Sequence, residues 1–110
     1  MDRNNKLYRD GIKKKAKSIL FINERRRLEL IKRIASLREK GNRISVEDAS
    51  DWFSFDMQLA NLNLETESMF KAFISVGIFT HGEADECLAN IRKEIGLSED
   101  GKELVKHADT

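Results

Sequence analysis

Two short cationic runs, Lys13-Lys14-Lys15-x-Lys17 and Arg25-Arg26-Arg27, are the residues of this chain best suited to chemistry. Clustered ammonium and guanidinium groups neutralise phosphates and release condensed counterions, which produces salt-sensitive nucleic-acid binding. Lys32 and Arg43 extend the set. Residues 1–43 hold fifteen Lys and Arg against five Asp and Glu, a net charge of +10; residues 44–110 hold five against fourteen, a net charge of −9. The overall +1 conceals this asymmetry. A basic block fused to an acidic one points to a partner: DNA or RNA through the basic half, or an acidic protein. The competing account is a solvated charged face, paired with the acidic half of the same or a neighbouring molecule.

The remaining chemistry-bearing residues suggest less. Trp52, Phe53 and Phe55 form an aromatic knot, read either as helix-junction packing or, if exposed, as a partner hot spot. His81, His107 and Cys87 lie too far apart in sequence for a zinc-ligand pattern. Glu83, Asp85 and Glu86 are explained by the positive end of a helix dipole. No Gly-rich phosphate loop, nucleophile elbow or Cys/His pairing is present. The expectation is therefore a non-enzymatic protein with no cofactor and no metal.

The elements that must position these residues read as helical. A chain of 110 residues without proline, 35% charged and 7% aromatic, suits one all-α domain. The pattern predicts a compact bundle of four or five helices with perhaps one short N-terminal strand. Residues 1–17 would form a basic arm or helix, residues 18–97 a single helical domain, and residues 98–110 a polar tail. Ser18–Asn23 reads as strand or buried helix. From Glu24 to Lys40 a helix is expected, with Leu28, Ile31, Ile34 or Ala35, and Arg38 on one face, and Leu30, Ile34 and Leu37 widening it. Gly41 would end it. Ser45 restarts a helix, with Glu47 and Asp48 in its first turn.

A longer pattern follows from about Asp56 to Val76, with a seam of Leu59, Leu62, Thr66, Met69, Phe73 and Val76, and Gly77 as its stop. That seam reads as core or as a homo-oligomer interface. Thr80 and Glu83 fit a capping box before a face of Ala84, Cys87 or Leu88, Ile91 and Ile95, with Gly96 ending the helix. Leu104 and Val105 could dock a last turn. A single cysteine and the lack of any long apolar run fit a cytoplasmic protein, with Cys87 a small buried side chain.

The order of parts from Lys17 to about Leu62 resembles a ribbon-helix-helix DNA-binding module. Within that family it is similar to the TraM relaxosome accessory proteins of conjugative plasmids. The matching residues are Ile19-Leu20-Phe21-Ile22 and Ile44-Ser45-Val46. The resemblance implies a strand at Lys17–Asn23 that pairs with its copy in the major groove, and a first helix over Glu24–Lys40. It also implies a turn at Gly41–Ile44 and a second helix from Ser45. Lys17 would then face the groove, and the Ser45 and Val46 amides would anchor phosphate.

Overall fold

Between Asp2 and Arg38 the chain has no proline and one glycine, Gly11, and nothing in it forces a break. In the computed structural model, which describes residues 2–105 and side chains from Lys6, this stretch is one continuous helix, α1 (Asp2–Arg38). Its 37 residues span about 55 Å at the α-helical rise. A 3₁₀ turn (Gly41–Arg43) leads to α2 (Val46–Ser75), and a short connection leads to α3 (His81–Ile95). The protein is all-α, and the described residues form three α-helices rather than four or five. The molecule is elongated, 63 × 34 × 18 Å, rather than a compact bundle.

Three expected boundaries disappear for one reason: apolar periodicity continues across them. Ser18–Asn23 is helix, because Ala16 and Leu20 continue into Leu30, Ile34 and Leu37 along one buried face. Glu24 is therefore an interior helical residue, not a helix start. Likewise, no break separates the Ser45 helix from the one expected at Asp56. Residues 6–17 belong to α1 rather than to a separate arm.

The stops and starts expected from local chemistry do form. At the end of α2, the Gly77 amide donates to the Ile74 carbonyl and the Ile78 amide to the Phe73 carbonyl. At the end of α3, the Gly96 amide donates to Lys93 and the Leu97 amide to Arg92. Both are Schellman motifs, with the glycine at φ 80° or 90° and a buried apolar residue, Ile78 or Leu97, immediately after it. Both later helices open with capping boxes. The Ser45 hydroxyl accepts from the Asp48 amide, and the Thr80 hydroxyl from the Glu83 amide. Each box also binds a lysine from earlier in the chain, Lys40 of the turn after α1 pairing with Asp48 at 3.0 Å and Lys13 of α1 with Glu83 at 2.8 Å.

The main core lies where all three helices meet. Ala16 and Leu20 of α1 pack with Phe70 of α2, with Ile78 and Phe79 of the connection, and with Ala84, Cys87 and Ile91 of α3. The Phe70 and Phe79 rings meet edge to face at 5.7 Å. The expected α2 seam is rotated: Leu62 and Thr66 are buried, Leu59, Met69 and Phe73 half-buried, and Val76 exposed. Phe70 takes the central place, because α3 docks on its side of α2. On α1, Leu30, Ile34 and Leu37 are buried, Leu28, Ile31 and Ala35 half-buried, and Arg38 exposed.

Beyond α3 the chain folds back instead of fraying or adding a helical turn. Leu97 and Leu104 form an antiparallel bridge, and the Val105 amide donates to the Gly96 carbonyl. With only about 22 Å of length, α3 covers less than half of α1. The end of the α1–α2 hairpin at Gly41 is only two helices thick.

Substituting Gly96→Ala should cost about 1–2 kcal/mol, because its left-handed backbone disfavours a Cβ. The same change at Gly11, in mid-helix with open space at Cβ, should stabilise by about 0.5–1 kcal/mol. Urea unfolding followed by circular dichroism measures both, and equal signs would contradict the assignment. Acid provides a second check. Lys40 and the Ser45 amide hold the Asp48 carboxyl below its ordinary 3.8, and Lys13 and the Thr80 amide hold Glu83 below 4.5. Lowered folded-state values contribute stability above the ordinary values and lose it as pH falls through the folded ones. The melting temperature should drop between pH 5 and pH 2, and by less in a Lys13→Met/Lys40→Met variant.

Candidate nucleic-acid interface

The helical repeat arranges the cations of α1 in rows. Residues eleven and seven apart return to the same side of a helix within about 20°. Lys14, Arg25 and Lys32 therefore form one row about 27 Å long, and Lys15, Arg26 and Arg33 form a second. All six are exposed, as is Lys17. Between residues 11 and 33 the exposed side chains of α1 include these seven cations and one acid, Glu29. Ser18 and the exposed Ile22 lie between the rows. The first row faces away from α2 and α3, since the core-facing line of α1 runs through Ala16, Leu20, Ile34 and Leu37, while the second row runs along the edge that borders α2.

Arg33 was not among the residues expected from the two cationic runs; seven-residue spacing from Arg26 is the signal that adds it. Its guanidinium lies 5.7 Å from the Phe55 ring, and that of Arg25 lies 5.8 Å from Phe21. Arg26 donates to Gln58 at 3.3 Å. Arg43 is exposed in the 3₁₀ turn, past the end of the strip. Lys13 faces inward, toward Glu83 and 5.7 Å from the centre of the Phe79 ring. Lys17 is exposed on a helix, not on a strand. The paired ribbon of a ribbon-helix-helix module has no counterpart among the described residues. The N-terminus of α2 is occupied by its own capping acids, so it offers no free phosphate anchor.

Arg27 corrects the expectation most sharply. It is 3% exposed, and its Nε donates to both oxygens of Glu24, at 3.0 and 3.1 Å. Its Nη1 donates to the Asn63 side-chain carbonyl. Glu24 is 0% exposed and also accepts from Arg92 Nε at 2.6 Å. Arg92 Nη1 in turn donates to the Glu99 carbonyl at 2.6 Å, and the guanidinium packs against Gly101. One carboxylate thus joins α1, α2 through Asn63, α3 and the folded-back C-terminal segment. Arg27 is built into the interior and is absent from the outer face of α1, where a nucleic-acid backbone would lie.

The Trp52–Phe55 group divides. Trp52 and Phe55 are half-buried beneath Arg38 and Arg33, at 5.9 and 5.7 Å, while Phe53 is 68% exposed. Phe53, Met57 and Leu64 share one side of α2 within about 40° and are all exposed. The aromatic centre of the fold is instead Phe70, Phe73 and Phe79.

Cys87 is buried, and burial raises its thiol pKa above the ordinary 9.0. His81 begins α3, and His107 lies outside the described residues. Among the described residues, no helix is long and apolar enough to cross a membrane. Set against protein-family models, curated proteins and solved structures, the chain matches none of them.

Removing Glu24 would leave two buried guanidinium groups facing one another. Glu24→Gln should therefore cost on the order of 3–5 kcal/mol, the usual penalty for breaking a buried ion pair from one side. Chemical denaturation measures it, and a loss below about 1 kcal/mol would contradict the role given to this carboxylate.

Proposed function

We propose that the protein is a small, non-enzymatic nucleic-acid-binding accessory or regulatory protein that holds the phosphate backbone on the outer side of α1. The observation that carries this reading is the seven-to-one excess of exposed cations over acids between residues 11 and 33. Among the described residues, only Lys13 and Lys40 of the basic half form ion pairs with acids of the acidic half. Among the described residues, the two rows make no ion pair with the acidic half. Rows of point charges on a straight helix suit backbone contact, which positions a protein without reading sequence.

A labelled duplex titrated at 50 and 200 mM salt tests this. Contacts to about six phosphates should weaken binding on the order of 10³-fold between the two salt concentrations. Replacing Lys14, Lys15, Arg25 and Lys32 with Gln should reduce the log–log salt slope by about 4. The helical signal should remain, since none of the four is buried. Absence of binding at 50 mM salt would overturn the proposal. Arg27 is excluded from the variant because its loss would unfold the cluster around Glu24.

The second reading is a helical adaptor or a homo-oligomer that uses an apolar face. It is favoured by the exposed row of Phe53, Met57 and Leu64, since such residues concentrate at contact sites. Light scattering across a concentration series separates the two readings. Self-association lost in Phe53→Ser/Leu64→Ser, with no nucleic-acid affinity, would favour this one.

A further inference from the structure

Between α2 and α3 runs a groove of about 410 Å³. Phe70, Ile74, Ala84 and Leu88 supply apolar lining, Arg27 and Thr66 add buried polar groups, and Glu67, Lys71 and Asp85 stand at its exposed rim. Arg27 and Thr66 are 3% and 5% exposed. Arg27 Nη2 and Thr66 Oγ1 are both buried and find no hydrogen-bond partner among the described residues. Native interiors leave few such groups unpaired, because each forfeits its interaction with water. The charge balance points the same way. Among the buried groups described, Glu24 is the one carboxylate, paired with both Arg27 and Arg92, so the buried cluster carries an excess positive charge, while the exposed rim of the groove holds Glu67 and Asp85 against Lys71.

We propose that this groove binds a small monocarboxylate with an apolar body, such as a medium-chain fatty acid or an aryl-alkanoic acid. One carboxylate oxygen would accept from Arg27 Nη2 and the other from the Thr66 hydroxyl. The charge of the carboxylate would balance the excess guanidinium, and its hydrocarbon would lie along Phe70, Ile74 and Leu88. The volume lies within the range of small-molecule pockets, and two donors beside an apolar wall match a carboxylate with a hydrocarbon tail. A phosphate dianion fits less well, because it would bring two charges to a cluster that lacks one. Arg27 Nη1 is engaged by Asn63, so the guanidinium presents Nη2 alone and Thr66 supplies the second donor. The inference is independent of the nucleic-acid reading, which uses the opposite side of α1.

Decanoate, 3-phenylpropionate, n-decanol and inorganic phosphate are titrated into the full chain, with melting temperature and isothermal calorimetry as readouts. The expected result is saturable binding of at least one carboxylate, with decanol and phosphate at least tenfold weaker. Arg27→Met removes the anchor but would also break the Glu24 cluster, so Thr66→Val is the deciding variant. It deletes an unpaired hydroxyl without changing shape. The ligand-free protein should be equally or more stable, and carboxylate affinity should fall at least fivefold. Equal binding of decanol would show an apolar groove without a headgroup site and overturn the proposal. So would carboxylate binding unchanged by Thr66→Val. Absence of saturable binding up to 1 mM carboxylate would overturn it as well, leaving water as the partner of both buried groups.

Discussion

The carboxylate of Glu24 holds the molecule together at the point where every element converges. It faces Arg27 one turn along α1 and Arg92 from α3; Arg27 reaches on to Asn63 of α2, and Arg92 to the carbonyl of Glu99. Burying three charges is expensive, and the arrangement is tolerable only because most of their hydrogen-bonding capacity is used within the cluster. Its value lies in specificity. An apolar seam alone permits the three helices to slide by a turn, whereas a guanidinium fork on a buried carboxylate has one register. The cluster fixes α3 along α1, and thereby fixes which side of α1 is left facing outward.

That outward side gives the charge asymmetry of the sequence its physical form. The basic and acidic halves do not fold as separate blocks. They interleave, with Lys13 of α1 and Lys40 just after it each pairing with the capping-box acid of a later helix. Acids of the second half are thus partly absorbed at helix starts, where the dipole favours them. Among the described residues, the cations of α1 that point away from the core have no such partner. One helix therefore carries the hydrophobic core on one side and an uncompensated field on the other, and the field is held rigidly.

Features governed by neighbouring residues were legible in the sequence. The Ser45 and Thr80 caps, the Gly77 and Gly96 stops and the α3 face of Ala84, Cys87 and Ile91 all depend on local chemistry. Continuity was not legible. The apolar run Ile19–Ile22 read as a separate unit, yet Ile19 and Ile22 are exposed and only Leu20 is fully buried. Reading residues 16–37 as one helix places Glu24 and Arg27 on the buried line with Ala16, Leu20, Leu30 and Ile34. Two opposite charges three residues apart on an apolar face signal an internal pair, and that signal was hidden by starting a helix at Glu24. Arg92, Asn63 and Thr66 carried no such signal, because their roles arise only when distant helices meet. The aromatic centre was misplaced for a related reason. Trp52, Phe53 and Phe55 are close in sequence, but they lie beyond the reach of α3.

The limited reach of α3 also sets how cohesion is distributed along the molecule. The buried residues of α2 are Leu62, Thr66 and Phe70, and nothing in its first sixteen residues is buried. Near Gly41 the two long helices hold each other mainly through Leu30, Ile34 and Leu37 of α1. Opening free energy should therefore rise along the long axis, from the Gly41 turn toward the three-helix end. The hairpin can unzip from its tip without disturbing the main core, and the Glu24 cluster marks the depth at which unzipping must stop or the whole molecule unfolds. The protein behaves as a pair of tongs riveted at Glu24, with jaws free to breathe and a handle that is not.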